Sequence, residues 1–281
     1  MSEPILVGMT DTPAARRALA WAARRAEDRR QGLLLYGVVG GVSGAVGAAE
    51  IVAALMEETQ EFLDAEAEPL RQRGLSVETR VAAGDPSALL IEASGSASVL
   101  VIGSDYRGPG RGPARGAHGI RVAAAAECPV VVVPDLDLDD ETRSGVVVGV
   151  DGSEVSEAAV RFAAAEADRL GEPLIAVTAW TPVAVPRHHR GYPQGYLDSM
   201  AAIAEETSAI ALAGLRQDYP SLRIETRIGR GYPSEIINDA AATARLAVLG
   251  SHGRGVVRRF LLGSISHEVL ERLATVTAVV R

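Results

Sequence analysis

Residues 250–266 read GSHGRGVVRRFLLGSIS, with Gly250, Gly253 and Gly263 punctuating the stretch and Ser264 following the last glycine. A strand-like run, LAVLG, precedes the loop, and a helix-like run, SHEVLERLA from Ser266, follows it. A loop that leaves the carboxyl end of a strand and enters a helix can bind an anion for two reasons. Glycines at 250 and 253 remove Cβ atoms, so backbone N–H groups can approach the anion. The next helix offers unpaired N–H groups and the positive end of its dipole. Ser264 or Ser266 can cap that helix, and one hydroxyl can also donate to a phosphate oxygen. Arg254, Arg258 and Arg259 add positive charge along the loop. The alternative use of such glycines is tight packing of a strand against a helix. Neither G-x-x-x-x-G-K-[ST] nor a G-x-G-x-x-G after the first strand occurs, so the P-loop and nicotinamide-dinucleotide fingerprints are missing.

The elements that must hold this loop occur twice. RVAAGDPSALLIEASGSASVLVIGS from Arg80 aligns without a gap with RIGRGYPSEIINDAAATARLAVLGS from Arg227, an offset of 147 residues. Upstream, LVGMTDTPAARRALAWAA (6–23) matches VVGVDGSEVSEAAVRFAA (147–164) at an offset of 141. The chain therefore reads as two copies of one domain, 1–134 and 145–281. Between them lies a linker, 135–144, with five acidic residues among its first seven; such a run is read as a solvated connection. In the second copy SGVVVGVD, PLIAVTAW, LRIETRI, LAVLG and TVTAVV read as strands. EVSEAAVRFAAAEADRL, LDSMAAIAEETSAIALAGLRQ and PSEIINDAAATA read as helices, with a further helix from Ser266. Strands alternating with helices predict parallel pairing through right-handed crossovers. Strands that are apolar almost throughout predict a sheet covered on both faces. The expected fold is a doubly wound, Rossmann-like α/β sandwich of about five strands per copy, with ligands outside the carboxyl strand ends near a switch in strand order.

Composition narrows the partners. Of 281 residues 47% are hydrophobic but only 4% aromatic, so each copy can bury a core built mostly of Ala, Val, Leu and Ile. The formal net charge of -8 argues against nucleic acid or an anionic membrane surface as the main partner. A single cysteine, Cys128, excludes an intrachain disulfide, fits a reducing compartment, and reads as a small core residue entering PVVVV. MSEPILVGMT does not read as a signal peptide, and no apolar run approaches the ~20 residues of a membrane span. A cytoplasmic protein is expected. His188 and His189 are adjacent and point apart, and no matching Cys, Asp or His cluster accompanies them, so no metal site is expected.

The spacing Gly250-x2-Gly253-x9-Gly263-Ser264 matches the nucleotide-binding signature G-x2-G-x9-G-[ST] of the universal stress protein family, and the whole chain resembles a tandem pair of its domains. VVVGVDGSEVSEAAVRFA looks like the family's first strand and helix, and RGYPSEIINDAA like the segment before its fourth strand. The resemblance implies ATP as ligand. Asp151 would then accept hydrogen bonds from the adenosine part, its ribose above all, with Gly149 beside it. The adenine-contacting position of the second strand falls on Ala179, smaller than the aliphatic residue usual there, so adenine packing is looser. Leu249 and Gly250 would line adenine and ribose, and Gly253, Gly263, Ser264, Ile265 and Ser266 would surround the phosphates. Asp151 has a plain alternative role as a turn residue in DGS. His252 reads as solvent-exposed, with phosphate contact as the lesser possibility.

The first copy carries a damaged version of this set. Gly103 and Gly116 survive, but Tyr106 stands at the place of Gly253, Ala117 at that of Ser264 and Thr10 at that of Asp151. Pro109 and Pro113 remove further backbone donors. Loss of three separate parts predicts that the first copy does not bind ATP in the family manner.

The reading is a tandem universal stress protein that binds ATP in its second domain and acts as a nucleotide-responsive regulator. No Ser/His/Asp arrangement or positioned base accompanies the loop, so at most slow ATP hydrolysis is expected, with any Mg²⁺ held by phosphate oxygens and water. Two other readings compete with it. One is an adenylating enzyme of the ATP-pyrophosphatase type, against which the single glycine of DGSEVS counts. The other is a nucleotide-free scaffold, against which the intact second signature counts. Relatives with one domain commonly dimerise through their last strands. The copies are therefore expected to form an intramolecular pseudo-dimer through VVVV (130–133) and TAVV (277–280), with further homo-oligomerisation possible and a protein partner of unknown identity.

Overall fold

The computed structural model describes residues 3–40, 48–106, 117–136, 142–183, 191–253 and 262–281. Arg254, Arg258 and Arg259, the pair His188 and His189, the stretch 107–116 and the middle of the acidic linker lie outside the described residues. The chain divides into two units, Met1–Leu136 and Asp137–Arg281.

The first unit runs β1 (Ile5–Met9), α1 (Pro13–Arg29), β2 (Leu33–Val39), α2 (Ala48–Gln72), β3 (Val77–Ala83), α3 (Pro86–Ser94), β4 (Val99–Ser104), α4 (Ala117–Ala125) and β5 (Val130–Pro134). The second runs β6 (Val146–Gly149), α5 (Glu154–Leu170), β7 (Leu174–Trp180), α6 (Tyr196–Ala211), α7 (Leu215–Asp218), β8 (Ile224–Arg230), α8 (Pro233–Ala241), β9 (Leu246–Gly250), α9 (Ser264–Arg272) and β10 (Val276–Val280). Strand order is β3-β2-β1-β4-β5 in the first unit and β8-β7-β6-β9-β10 in the second. All these neighbours pair in parallel. This is the doubly wound fold that the alternation of strands and helices predicts. From β6 the chain first winds outward through β7 and β8, then returns to place β9 on the other side, so the order switches between β6 and β9. Ligand crevices of such sheets open there, at the carboxyl ends of the strands.

The local chemistry explains most boundaries. In α5 the Ser153 hydroxyl accepts the Ser156 N–H, Glu154 and Glu157 occupy the positive end of the dipole, and Gly171 closes the helix in the left-handed conformation at φ 65°. One expectation fails: the helix read over 197–217 is broken. α6 stops at Ala211, and Gly214, at φ 87°, starts the short α7. A left-handed residue cannot continue a right-handed helix, and glycine takes that conformation without a Cβ penalty.

Below the sheet, at the amino ends of its strands, Glu172 ties three segments of the second unit together. Its carboxylate accepts the Ser144 hydroxyl at 2.7 Å, the Gly145 N–H at 2.9 Å and the Arg245 Nε–H at 2.6 Å. Burial alone would raise the pKa of this carboxyl; the three donors outweigh burial and hold it below the usual carboxylate range. A carboxylate depressed in the folded state stabilises the fold above its unfolded pKa of about 4.3, and loses that contribution as pH falls through the lower folded value. The first copy has the neutral Gln31 at this place, accepting from Arg25 at 2.8 Å. Glu172→Gln is expected to cost about 1.5–3 kcal/mol at neutral pH, the scale of hydrogen bonds to a charged group. The loss should shrink below pH 4, as urea unfolding at a series of pH values would show.

Candidate functional site

A cavity of about 400 Å³ opens beside the carboxyl ends of β6, β7 and β9 and the first turns of α8 and α9. It is lined by Gly149, Asp151, Ala179, Leu249, Gly250, Gly253, Gly263, Ser264, Ile265 and Ser266. The structure thus brings together all ten of the residues that the sequence singled out. Val150, Ser156, Val177, Pro233, Ile237 and His252 complete the wall. Val177, Ile237 and Leu249 belong to a buried apolar cluster that also holds Val147, Ile175 and Val269, with Ile265 packed against it. One side of the cavity is therefore a greasy floor on a rigid core, and the other is backbone and hydroxyl.

Asp151 follows β6 at the switch in strand order. Its Oδ1 accepts the Ser153 N–H at 2.9 Å and the Ser153 hydroxyl at 2.7 Å, so the turn role is realised. Oδ2 accepts no hydrogen bond among the described residues and faces Gly253. The two roles foreseen for Asp151 are compatible because they fall on different oxygens.

The three glycines of the loop do different things. A Cβ on Gly250 would lie 3.0 Å from Val155 Cγ1 and 3.4 Å from the Ser156 N, so this glycine lets the end of β9 approach the first turn of α5. Gly103 does the same in the first unit and more tightly: its Cβ would lie 2.4 Å from the Ala14 carbonyl carbon and 2.7 Å from the Ala15 N. The packing use of glycine therefore holds at 250, and it explains why the first copy keeps Gly103. Gly263 donates its N–H to the Ser251 carbonyl at 2.7 Å and stands just before α9.

The capping role expected for Ser264 or Ser266 is not found. α9 begins at Ser264 instead of Ser266, its cap position is Gly263, and no side chain accepts its first N–H groups. Glycine fits there because the segment turns sharply against Ser251 and His252, and a Cβ would lie 3.2 Å from the His252 Cα. Ser266 is buried and donates its hydroxyl to the Gly250 carbonyl at 2.6 Å, which fastens α9 to the end of β9. Its hydroxyl is thereby committed to the protein, and its N–H is what remains for a ligand. The N–H groups of Ser264, Ile265 and Ser266 have no acceptor among the described residues, and the Ser264 side chain is exposed. The helix start is a cluster of donors open towards the cavity. His252 is half-buried on the cavity wall, with Nδ1 3.0 Å from the Ser251 hydroxyl.

A further pair steadies this wall. The Ser234 hydroxyl donates to Glu268 at 2.6 Å and the Tyr232 hydroxyl at 3.2 Å, joining the start of α8 to α9. Sequence reading missed Val177, Pro233 and Ile237 as wall residues. Their signal was available: Val177 shares the face of β7 with Ala179, and Ile237 stands one helical turn after Pro233. Among the described residues, no group of His, Cys, Asp and Glu side chains could hold a metal ion. Cys128 is buried and its thiol is pushed up to about 12, primarily by burial, which makes it an inert core residue.

Comparison with known proteins bears on this geometry. The model of the universal stress protein family matches residues 1–134 and again residues 143–281. A universal stress protein of Mycolicibacterium smegmatis is 31% identical over 288 residues, covering 99% of this chain and 96% of that protein. One of Mycobacterium tuberculosis is 30% identical over 290 residues, with the same coverage. The crystal structure of a universal stress protein from Archaeoglobus fulgidus superposes with a TM-score of 0.73 at 20% identity, covering 99% of this chain and 98% of that one, and so shares the fold.

Proposed function

The chain belongs to the universal stress protein family as a tandem pair of its domains, and from that premise we propose that the second domain binds ATP and that the protein acts as a nucleotide-responsive regulator. The observation that carries this reading is the convergence of the ten signature residues on a single cavity whose three surfaces suit the parts of a nucleotide. The apolar floor of Val177, Ile237 and Leu249 suits a purine, with Ala179 leaving room. The Oδ2 atom of Asp151 can accept from a ribose hydroxyl. The open N–H groups of α9 and the exposed Ser264 hydroxyl suit phosphate oxygens. Any Mg²⁺ would arrive on the phosphates. The sequence carries no Ser/His/Asp arrangement or positioned base tied to the loop, so the proposal is of a binding protein with at most slow turnover. A cytoplasmic location is part of the proposal and rests on the sequence; what the described residues contribute is that no helix is long and apolar enough to cross a membrane. The pseudo-dimeric pairing of the two copies likewise rests on the sequence repeat.

The first unit supports the asymmetry. Thr10 there spends its hydroxyl on Thr12, 3.1 Å away, and has no carboxylate to offer. Tyr106 occupies the place of Gly253 and is tied to its own unit, its N–H donating to Ser104 and its carbonyl accepting from Asp135. Calorimetric titration of the full chain should therefore give one ATP per chain. Two equivalent sites would refute the asymmetry, and no heat and no retained nucleotide would favour the scaffold.

A further inference from the structure

Gly253 is the glycine that a phosphate-binding reading would assign to backbone approach. The geometry points to a different reason, and we propose that Gly253 is a positioning residue for Asp151: its missing side chain is the clearance that lets the Asp151 carboxylate stand at the cavity wall and select a ribose hydroxyl. This inference rests on the ATP reading above and deepens it.

Two causes ordinarily require glycine. The first is a positive φ, and Gly253 is not among the residues with one. The second is space. A Cβ at 253 would lie 2.4 Å from Asp151 Oδ2 and 3.6 Å from its Cγ, and apart from Gly253 and its chain neighbours these are the only atoms of the described residues within 4 Å of that point. A clash with a side-chain tip is cheap when the tip can swing away. Here it cannot do so freely, because Oδ1 of the same carboxylate is held by the N–H and the hydroxyl of Ser153. Rotating the carboxylate out of the way breaks one or both bonds. Leaving it in place forbids any side chain at 253. Glycine at 253 and aspartate at 151 thus form one device.

The first copy is consistent with the same coupling. There both members are replaced together, Gly253 by Tyr106 and Asp151 by Thr10. Thr10 is a β-branched residue with no second oxygen to reach forward, and its hydroxyl faces Thr12 instead. With the carboxylate gone, position 106 is free to carry a side chain. Ala117 replaces Ser264 in the same copy, so the joint loss accords with the coupling without requiring it.

The test is a double-mutant cycle on the full chain with Gly253→Ala, Asp151→Ala and the pair. Affinities are measured for ATP, 2′-deoxyATP and 3′-deoxyATP. Gly253→Ala is expected to weaken ATP binding about 10- to 100-fold, the range for losing a hydrogen bond to a charged group. It should also abolish the preference for ATP over whichever deoxy analogue the wild type discriminates against. In the Asp151→Ala background the same substitution should change ATP affinity less than about twofold, the non-additivity expected of residues acting as one unit. If Gly253→Ala weakens all three nucleotides equally and keeps the preference, or is equally damaging without Asp151, the glycine serves the phosphates and the inference is overturned. Thermal melting of the same four proteins gives an arm that needs no nucleotide. Gly253→Ala should lower the melting temperature only when Asp151 is present. Equal lowering in both backgrounds would overturn the clearance argument even if ATP does not bind, whereas failure of wild-type ATP binding alone refutes the ATP reading.

Discussion

Gly253→Tyr is expected to remove ATP binding from the full chain while the far-ultraviolet circular dichroism of the protein stays that of the wild type. The substitution writes into the second domain what the first already carries at Tyr106. Its effect is compounded, because the new Cβ meets Asp151 Oδ2 and the ring extends from a cavity wall. Phosphate donors at α9 would be screened and the ribose acceptor displaced together, so a loss of at least about 100-fold is expected, near the sum of two charge-assisted hydrogen bonds. Titration calorimetry reads the loss. Unchanged affinity in a folded variant would take the loop out of the site altogether. If the Asp151 carboxylate is the obstacle, combining Gly253→Tyr with Asp151→Thr should recover thermal stability without recovering affinity.

The second large effect is on folding. Gly103→Ala should destabilise the protein by about 1–3 kcal/mol, the cost of forcing atoms into a packed interior. The displaced atoms are backbone: the Ala14 carbonyl carbon at 2.4 Å, its oxygen at 2.5 Å and the Ala15 N at 2.7 Å. Backbone at the start of α1 cannot rotate away as a side chain can, and the Thr12 hydroxyl, 3.2 Å from the Ala15 N, caps this same turn. Gly250→Ala should be milder, because its nearest neighbour is the tip of Val155 at 3.0 Å. Urea unfolding of the two variants ranks them. A Gly103→Ala protein as stable as the wild type would remove the packing account of why this glycine survives in the copy that has lost the counterparts of Gly253 and Ser264.

Much of this architecture was legible in the residues. The bounds read for α5 and β9 are those found, since a short apolar run closed by glycine and a capped amphipathic stretch specify themselves locally. Other features depend on partners distant in sequence. The start of α9 falls two residues earlier than its serines suggest, because Gly263 is anchored by Ser251 and the Ser266 hydroxyl is drawn to Gly250. The break at Gly214 was hidden by an apolar pattern that continues through it. The roles of the glycines could not be separated by spacing at all. Gly103, Gly250 and Gly253 each lack a Cβ for the sake of a specific neighbour: a helix backbone, a valine tip and a carboxylate. Only the placement of α1, α5 and the end of β6 reveals which is which. For the candidate site, the motif named the loop, and the crossovers supplied Val177, Pro233 and Ile237.

The uncapped start of α9 has a consequence for how occupancy could be read out. In the same unit α5 is closed by Ser153, and in the first unit α3 is closed by Asp85. Such caps contribute about 1 kcal/mol each. α9 forgoes that contribution, so in the absence of ligand its first turn sits closer to its local opening equilibrium than the starts of those helices. An anion that takes the N–H groups of Ser264, Ile265 and Ser266 then completes a secondary structure as well as filling a site. Bound and free forms would then differ in how often a helix frays. A partner that grips this end of α9 would sense the nucleotide as a change in local order, a currency of coupling that requires no domain motion.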